Sequence, residues 1–182
     1  MRAPAGNLLG EGDDLSDMRV AIIGDTHVPS RAEGIPGWVR EEVDRADRTI
    51  HTGDFDSERA YDEVVAMTDD LTAVEGNMDP SSLDLPEVAT LDVERVRFVV
   101  THGTGDLERY EARVAETVAE HAADDRTTIG ISGHTHQRMD QVRAGHRLLN
   151  PGSATGASPA PDTSMMIAEV DGSTVEIETT VE

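Results

Sequence analysis

The 182-residue chain carries 37 aspartates and glutamates against 15 arginines, contains no lysine, and has a formal net charge of −22 at pH 7. This charge repels polyanions and therefore argues against non-specific binding to nucleic acids or to anionic membranes. The absence of cysteine excludes disulfides, thiolate ligands and a cysteine nucleophile, and no apolar run reaches the roughly 18–20 residues of a membrane span.

We predict that residues 1–17 form a flexible tail ahead of a single domain at residues 18–182. The tail is rich in small and acidic residues and lacks the apolar segment of a signal peptide, which favours a cytoplasmic location. The remaining length suits one core, and because only 3% of all residues are aromatic, that core must be aliphatic.

Short apolar runs alternate with amphipathic stretches along most of the domain. In chain order, the patterns predict strands at 20–25, 48–54, 71–77, 88–93, 96–103 and 128–134, and helices at 38–47, 57–67 and 106–122. From residue 139 onward the pattern is that of β-hairpins, with Asp171-Gly172 as a tight turn. This order predicts a mixed α/β sandwich.

Five predicted strands end in a glycine beside a side chain that can bind a metal ion. The motifs are GDTH at 24–27, GD at 53–54, GN at 76–77, HG at 102–103 and GHTH at 133–136. The carboxyl ends of strands in an α/β sheet meet at one crevice, so we expect these groups to lie together. In GDTH and GHTH, the spacing of two residues predicts that both side chains of each pair share one side of an extended chain.

The donor atoms in these motifs indicate a site for two metal ions. One motif alone would be a common turn or core histidine, but five in register point to ligation. The set comprises Asp25, His27, Asp54, Asn77, His102, His134 and His136. Such nitrogen and oxygen donors suit Mn²⁺, Fe, Zn²⁺, Co²⁺ or Ni²⁺ better than Ca²⁺ or Mg²⁺. Seven donors exceed the needs of one tetrahedral ion and suit two ions that share a carboxylate and activate water for attack on a phosphate.

The motifs GDTH, GDFD, GNMD, THG and GHTH, in this order and at these spacings, resemble the calcineurin-like metallophosphoesterase superfamily. The short length, VPSR after GDTH and NPGSATGA after GHTH are similar to its small branch, which contains bacterial and archaeal phosphodiesterases and the retromer scaffold subunit. The resemblance implies a four-layer α/β/β/α sandwich. It also implies a phosphodiesterase in which a hydroxide that bridges the metal ions attacks the phosphoester in line.

The family pattern assigns the ligands to two ions. One ion would be held by Asp25, His27, Asp54 and His136, and the other by Asp54, Asn77, His102 and His134. Asp54 would bridge the ions, and Asp54 and Asn77 are the expected catalytic residues. We expect Mn²⁺, with Ni²⁺, Zn²⁺, Fe²⁺ and Co²⁺ as alternatives. The partner would be a phosphoester substrate in an open site, because no insertion is large enough for a cap domain.

The chain departs from the family pattern at Met78. Larger members carry a histidine directly after the asparagine of the GN motif, and a thioether cannot donate a proton in its place. We therefore expect substrates with acidic leaving groups, and phosphodiesters rather than a broad range of monoesters. Asp79, which would orient that histidine, is expected only to shape its loop.

Other interpretations of the sequence remain open. The same fold could serve as a non-catalytic protein-interaction scaffold, although scaffold relatives tend to lose ligands and all seven are present here. A mononuclear zinc hydrolase that uses His134 and His136 would leave three motifs without a role. We expect His51 to pack in the core or behind the ligands. Asn150 and Ser153 could contact the site or an incoming phosphate, although a turn is the simpler account, and Arg31 could clamp a phosphate.

The distribution of charge and the strand edges suggest two further properties. Acidic residues spread along the whole chain, together with the absence of lysine, are typical of extreme halophiles, in whose molar salt the Debye length falls to roughly 3 Å. A merely acidic mesophilic protein is the alternative. Hairpin edges in so small a sandwich commonly pair, so a homodimer is also expected.

Overall fold

The computed structural model describes residues 17–182, so the predicted tail, apart from Asp17, lies outside the described residues. The strands are β1 (Met18–Ile23), β2 (Arg48–His51), β3 (Leu71–Ala73), β4 (Val88–Val93), β5 (Val96–Thr101), β6 (Thr127–Ile131), β7 (Met139–Arg143), β8 (His146–Asn150), β9 (Ser164–Asp171) and β10 (Thr174–Val181). The helices are α1 (Gly37–Asp44), α2 (Glu58–Val65) and α3 (Tyr110–Glu120). Short 3₁₀ helices lie at Ser81–Leu83 and Leu107–Arg109.

Two five-stranded mixed sheets form the centre of the protein. The first has the order β10-β9-β1-β2-β3, with β1, β2 and β3 parallel, and the second has the order β4-β5-β6-β8-β7, with β5, β6 and β8 parallel. The parallel strands other than β8 carry the motif loops at their carboxyl ends. The antiparallel partners are supplied by three hairpins, β4–β5, β7–β8 and β9–β10.

Apolar side chains alternate along the strands and fill three interfaces. Ile22, Ile50, Phe98 and Ile131 are buried between the two sheets. Helices α1 and α2 cover the outer face of the first sheet, and α3 covers the outer face of the second with Tyr110, Val114 and Val118. The predicted four-layer α/β/β/α sandwich is therefore confirmed.

Five strands end earlier than the sequence predicts. They stop two to four residues before the predicted ends at 25, 54, 77, 103 and 134: β1 at Ile23, β2 at His51, β3 at Ala73, β5 at Thr101 and β6 at Ile131. The motif residues that follow leave the extended conformation, because they turn back across the sheet edge to form a site. Among the described residues, no helix is long and apolar enough to cross a membrane.

Candidate metal centre

The loops after β1, β2, β3, β5 and β6 converge at one edge of the sandwich. Backbone hydrogen bonds join them directly: Asp25 N donates to Gly53 O at 3.1 Å, and Gly133 N donates to His102 O at 3.2 Å. The first bond links the loops after β1 and β2 in the first sheet, and the second links the loops after β5 and β6 in the second sheet. All seven predicted donor side chains are brought to this edge, where they form two neighbouring groups.

The first group, which we call the inner cluster, consists of Asp25, His27, Asp54 and His136. These four side chains are buried, and each offers a donor atom such that all four atoms lie within 4.8 Å of one another. The Nε2 atoms of His27 and His136 are 3.0 Å apart, and His27 Nε2 lies 3.4 Å from Asp54 Oδ2. A single cation placed among these atoms could contact all of them.

The second group, the outer cluster, consists of Asn77, His102 and His134. Asn77 Oδ1 lies 2.8 Å from His134 Nδ1 and 3.1 Å from His102 Nε2. His102 Nε2 in turn lies 3.3 Å from Asp54 Oδ2, the oxygen that also approaches His27. Asp54 therefore joins the two clusters. Asn77 is exposed and His134 is half-buried, so this side of the centre is open to solvent.

Each histidine has one ring nitrogen that points away from the centre and hydrogen-bonds to an oxygen. The outward contacts are His27 Nδ1 to Asp56 Oδ1 at 2.9 Å, His102 Nδ1 to Thr52 O at 2.7 Å, His136 Nδ1 to Ala157 O at 2.8 Å, and His134 Nε2 to Gly105 O at 3.3 Å. A carbonyl or carboxylate oxygen can only accept, so the outward nitrogen carries the proton. In the neutral ring, the inward nitrogen then offers a lone pair to the centre. The inward nitrogens of His102 and His134 face Asn77 Oδ1, which can also only accept, so a cation or a second ring proton must lie between them.

This arrangement fits divalent cations. The inward lone pairs of His27 and His136 face each other at 3.0 Å, and two lone pairs at that distance repel unless a positive charge lies between them. The donor set is four imidazoles, two carboxylates and one amide oxygen, which suits metals of the first transition row and zinc. The outward hydrogen bonds also hold the rings in place as they do around many metal sites.

Burial and neighbouring charges set the protonation of the carboxylates and of His102. Burial raises the pKa of Asp25 to about 7. Burial also opposes ionisation of Asp54, but hydrogen bonds and the charge of His102 outweigh it and lower the pKa of Asp54 to about 2. For His102, burial is outweighed by the hydrogen bond and charges of Asp54 and Asp25, which raise its pKa to about 8. Asp54 is therefore ionised near neutral pH, and a cation that binds at the inward nitrogen of His102 must displace a proton from that ring.

The backbone of the motif loops corrects one sequence prediction. Asp25 and His27 have φ of 48° and 46°, and His134 and His136 have φ of 70° and 55°, so neither pair lies on an extended chain. The two side chains of each pair converge through left-handed turns instead. Aspartate and histidine tolerate this conformation better than most residues, but each instance costs of order 1 kcal/mol and requires support from its surroundings.

Several buried polar residues supply that support, and the sequence prediction did not identify all of them. Asn150 Nδ2 donates to Gly133 O at 2.8 Å and to Thr135 Oγ1 at 3.1 Å, and Tyr110 OH donates to Gly133 O at 2.8 Å. Ser153 Oγ donates to Asp25 O at 2.7 Å. Tyr110 has no sequence signal beyond its place on the apolar side of a helix.

Other predicted and missed residues have clear places. His51 is buried, stacks on Phe55 with ring centroids 3.7 Å apart, and has its pKa lowered to about 3 by burial, which confirms the packing role. Asn150 forms the predicted turn, since its Oδ1 accepts from Gly152 N. Arg31 donates to Ser158 O, and its role as a phosphate clamp stays a prediction. Asp56 was missed, although it is the second aspartate of GDFD.

A cleft of about 370 Å³ opens beside the outer cluster. Asn77 and His102 form one side of it, and Arg113, Glu75 and Glu87 are among the polar side chains of the remaining walls. Met78, at the rim of the centre, is 44% exposed. A substrate group held at the metal centre would thus have room on this side.

Comparison with known proteins gives a consistent family. Residues 18–173 match the model of the calcineurin-like phosphoesterase superfamily domain. A probable metallophosphoesterase of Methanothermobacter thermautotrophicus is 30% identical over 166 residues, which cover 88% of this chain and 91% of the relative. Both matches span the five motif loops.

Solved structures with the same architecture include two Vps29 proteins. Vps29 of Entamoeba histolytica, solved in complex with Zn²⁺, has a TM-score of 0.70 and 28% identity over 90% of this chain and 99% of its own. Vps29 of Chaetomium thermophilum has a TM-score of 0.74 over 91% of this chain and 97% of its own, and at 20% identity this likeness shows the fold alone.

Proposed function

The chain belongs to the calcineurin-like phosphoesterase superfamily, and we propose that it is a phosphodiesterase that depends on two divalent metal ions. One observation carries the proposal: seven donor side chains from five separate loops converge, and the outward hydrogen bonds of the four histidines turn their lone pairs inward. A fold without chemistry at this edge would gain nothing from burying aspartates and histidines there.

In this proposal, Asp25, His27, Asp54 and His136 hold one ion, and Asp54, Asn77, His102 and His134 hold the other. We propose Mn²⁺, with Ni²⁺, Zn²⁺, Fe²⁺ and Co²⁺ as alternatives that the same donors accept. When bound, two such ions would lower the pKa of a water molecule and would neutralise charge on a phosphate.

The side chains of the protein contribute position and charge. Asp54 presents Oδ2 to both clusters, while its Oδ1 accepts from Met78 N at 2.8 Å, so the carboxylate cannot rotate freely. Asn77 is exposed, and its amide group can reach a phosphate oxygen as well as an ion. We therefore propose Asp54 and Asn77 as the catalytic residues.

The proposed preference for acidic leaving groups follows from Met78. Its exposed thioether stands where a protonated side chain would assist the departure of an alkoxide, and it has no proton to give. Esters of acidic alcohols, whose leaving groups depart without protonation, are therefore the proposed substrates.

A protein-interaction scaffold is the second candidate function. Vps29 of Entamoeba histolytica shares the fold over almost its whole length at 28% identity, and this likeness supports the alternative. The feature that separates the candidates is the completeness of the donor set, because a scaffold does not need seven convergent donors. We therefore place the enzyme first.

The deciding experiment measures hydrolysis of bis-p-nitrophenyl phosphate in molar KCl, with Mn²⁺ present and then removed by a chelator. The proposal expects turnover that disappears with the chelator and returns when excess Mn²⁺ is added. p-Nitrophenyl phosphate, a monoester with the same leaving group, is the control and should turn over more slowly. Absence of any metal-dependent hydrolysis of either ester would favour the scaffold.

A further inference from the structure

Asp79 makes an unusual set of hydrogen bonds behind the metal centre. Its carboxylate accepts from four backbone amides: Oδ2 from Asp54 N at 3.0 Å and Gly76 N at 2.8 Å, and Oδ1 from Phe55 N at 2.6 Å and Asp56 N at 3.0 Å. No other side chain among residues 17–182 accepts hydrogen bonds from four backbone amides. This exceeds the loop-shaping role that the sequence suggests.

The four amides belong to both halves of the centre. Asp54 joins the inner and outer clusters, and Asp56 accepts from the outward nitrogen of His27. Gly76 directly precedes Asn77 of the outer cluster. The Asp79 carboxylate therefore fixes the backbone at Asp54, which both clusters share, at Asp56, which holds the inner ligand His27, and directly before Asn77 of the outer cluster.

The two loops that Asp79 joins are packed backbone against backbone. A Cβ atom on Gly76 would lie 2.1 Å from Asp54 N, and one on Gly53, whose φ is +96°, would lie 2.6 Å from Gly76 N. Asp54 and Asp56 have positive φ of 62° and 72°. Convergent amides of this kind form an anion-binding nest, which leaves unbalanced positive charge when no anion fills it.

We propose that Asp79 is a positioning residue for both metal sites, and that its carboxylate acts as a built-in anion for a nest formed by the loops at residues 53–56 and 76. Because residue 78 is a methionine, Asp79 has no histidine to orient and acts on the backbone instead. This inference rests on the proposed metal centre. It predicts that a change at Asp79 weakens metal binding without removing any ligand.

The test titrates Mn²⁺ into the whole chain by calorimetry for the wild type and for the D79N and D79A variants. In D79N, the remaining side-chain oxygen can still accept from two backbone amides. The new NH₂ group would face the other two backbone amides and cannot accept from them. Loss of support behind ligands typically costs about 10- to 100-fold in metal affinity, and we expect D79N near the lower and D79A near the upper figure.

The matched control is D47N. The Asp47 carboxylate also accepts a backbone amide from a distant segment, Arg19 N at 2.8 Å, but at the opposite end of β1 from the metal centre. Its replacement should leave the Mn²⁺ affinity unchanged. Thermal unfolding of every variant checks that each is folded, and D79N carries the test if D79A is not.

Chemical rescue separates the nest from general stability. Formate has the carboxylate that D79A lacks and should restore Mn²⁺ affinity in a saturable way, whereas chloride at equal ionic strength should not. The inference is overturned if a folded D79 variant binds Mn²⁺ as the wild type does, if D47N loses as much affinity, or if formate has no effect on folded D79A. A wild type that binds no Mn²⁺ would instead overturn the proposed function.

Discussion

The inner and outer clusters share Asp54 but differ in how the protein surrounds them. In the inner cluster all four side chains are buried and all four residues have positive φ, while Ser153 holds the carbonyl of Asp25 and Asn150 holds Thr135 beside His136. In the outer cluster Asn77 is exposed and His134 is half-buried. His134 also presents Nδ1 instead of Nε2, because Gly105 O takes its other nitrogen.

This difference separates two tasks that a two-metal centre has to combine. A buried, preorganised set of donors binds an ion tightly, since few degrees of freedom are lost on binding. An exposed set keeps room for a phosphate and for exchange of product with solvent, and here it borders the cleft of about 370 Å³. We therefore expect a tight inner site that stays loaded and a weaker outer site that responds to the metal concentration.

Replacing Asp54 by asparagine should have the largest effect, because among residues 17–182 it is the only proposed ligand that both clusters share. Loss of the shared charge is expected to lower kcat/KM by about 10³-fold, equivalent to about 4 kcal/mol of stabilisation of the transition state. Steady-state hydrolysis of bis-p-nitrophenyl phosphate at saturating Mn²⁺ provides the measurement. A D54N variant that binds two Mn²⁺ ions with unchanged affinity would remove Asp54 from its central place.

The expected order of Mn²⁺ affinity, with the inner site tighter than the outer site, can be tested by removing one ligand from each site. H27A should weaken the tight phase of Mn²⁺ binding, whereas N77A should weaken only the second phase. Because each variant loses a proposed ligand, we expect the affinity of the affected phase to fall by at least about 100-fold. Calorimetric titration of both variants and the wild type gives the two phases directly. Loss of the tight phase in N77A, with retention in H27A, would reverse the assignment.

The architecture and the donor side chains were predictable because they depend on local patterns. Strand runs followed by Gly-Asp, Gly-Asn or Gly-His place donors at the ends of parallel strands, and the topology of such sheets brings those ends together. The structure places all seven donors there. Their assignment as ligands rests on the proposal and on the experiments above.

The supporting contacts were not predictable, because they join residues far apart in the sequence. Asn150 holds Gly133 across 17 positions, and Asp79 holds Asp54 across 25. The left-handed turns at His134 and His136 also have no sequence signature. Two histidines separated by one residue can lie on an extended strand or in two successive turns, and the spacing is the same in both cases. Only the packed backbone decides between them.

Salt should separate the buried clusters from the acidic surface. With a net charge of −22, raising KCl from 0.5 to 2 M should raise the Tm by about 5 °C, or roughly 1.5–2 kcal/mol for a chain of this size, because exposed carboxylates are screened. The affinity of the inner site for Mn²⁺ should change far less, since buried groups are screened little. Calorimetric scans and titrations in the same buffers measure both. A Tm that is unchanged or falls with salt would contradict a halophilic surface.

The smallest expected effect comes from restoring a proton donor beside the outer cluster. In M78H the backbone bond from residue 78 to Asp54 is kept, while the exposed side chain gains an imidazolium that can protonate a leaving group. The ratio of kcat/KM for methyl phenyl phosphate to that for methyl p-nitrophenyl phosphate should rise by up to about 10-fold, below the range of optimised general acids. M78Q, which is polar but cannot titrate, should leave the ratio unchanged.

The gain in M78H requires the protonated ring, so it should be present at low pH and disappear as the pH rises through about 6.5, the ordinary pKa of histidine. An equal gain in M78Q, or one that persists above that pH, would show that Met78 limits the outer site by its shape and not by its missing proton.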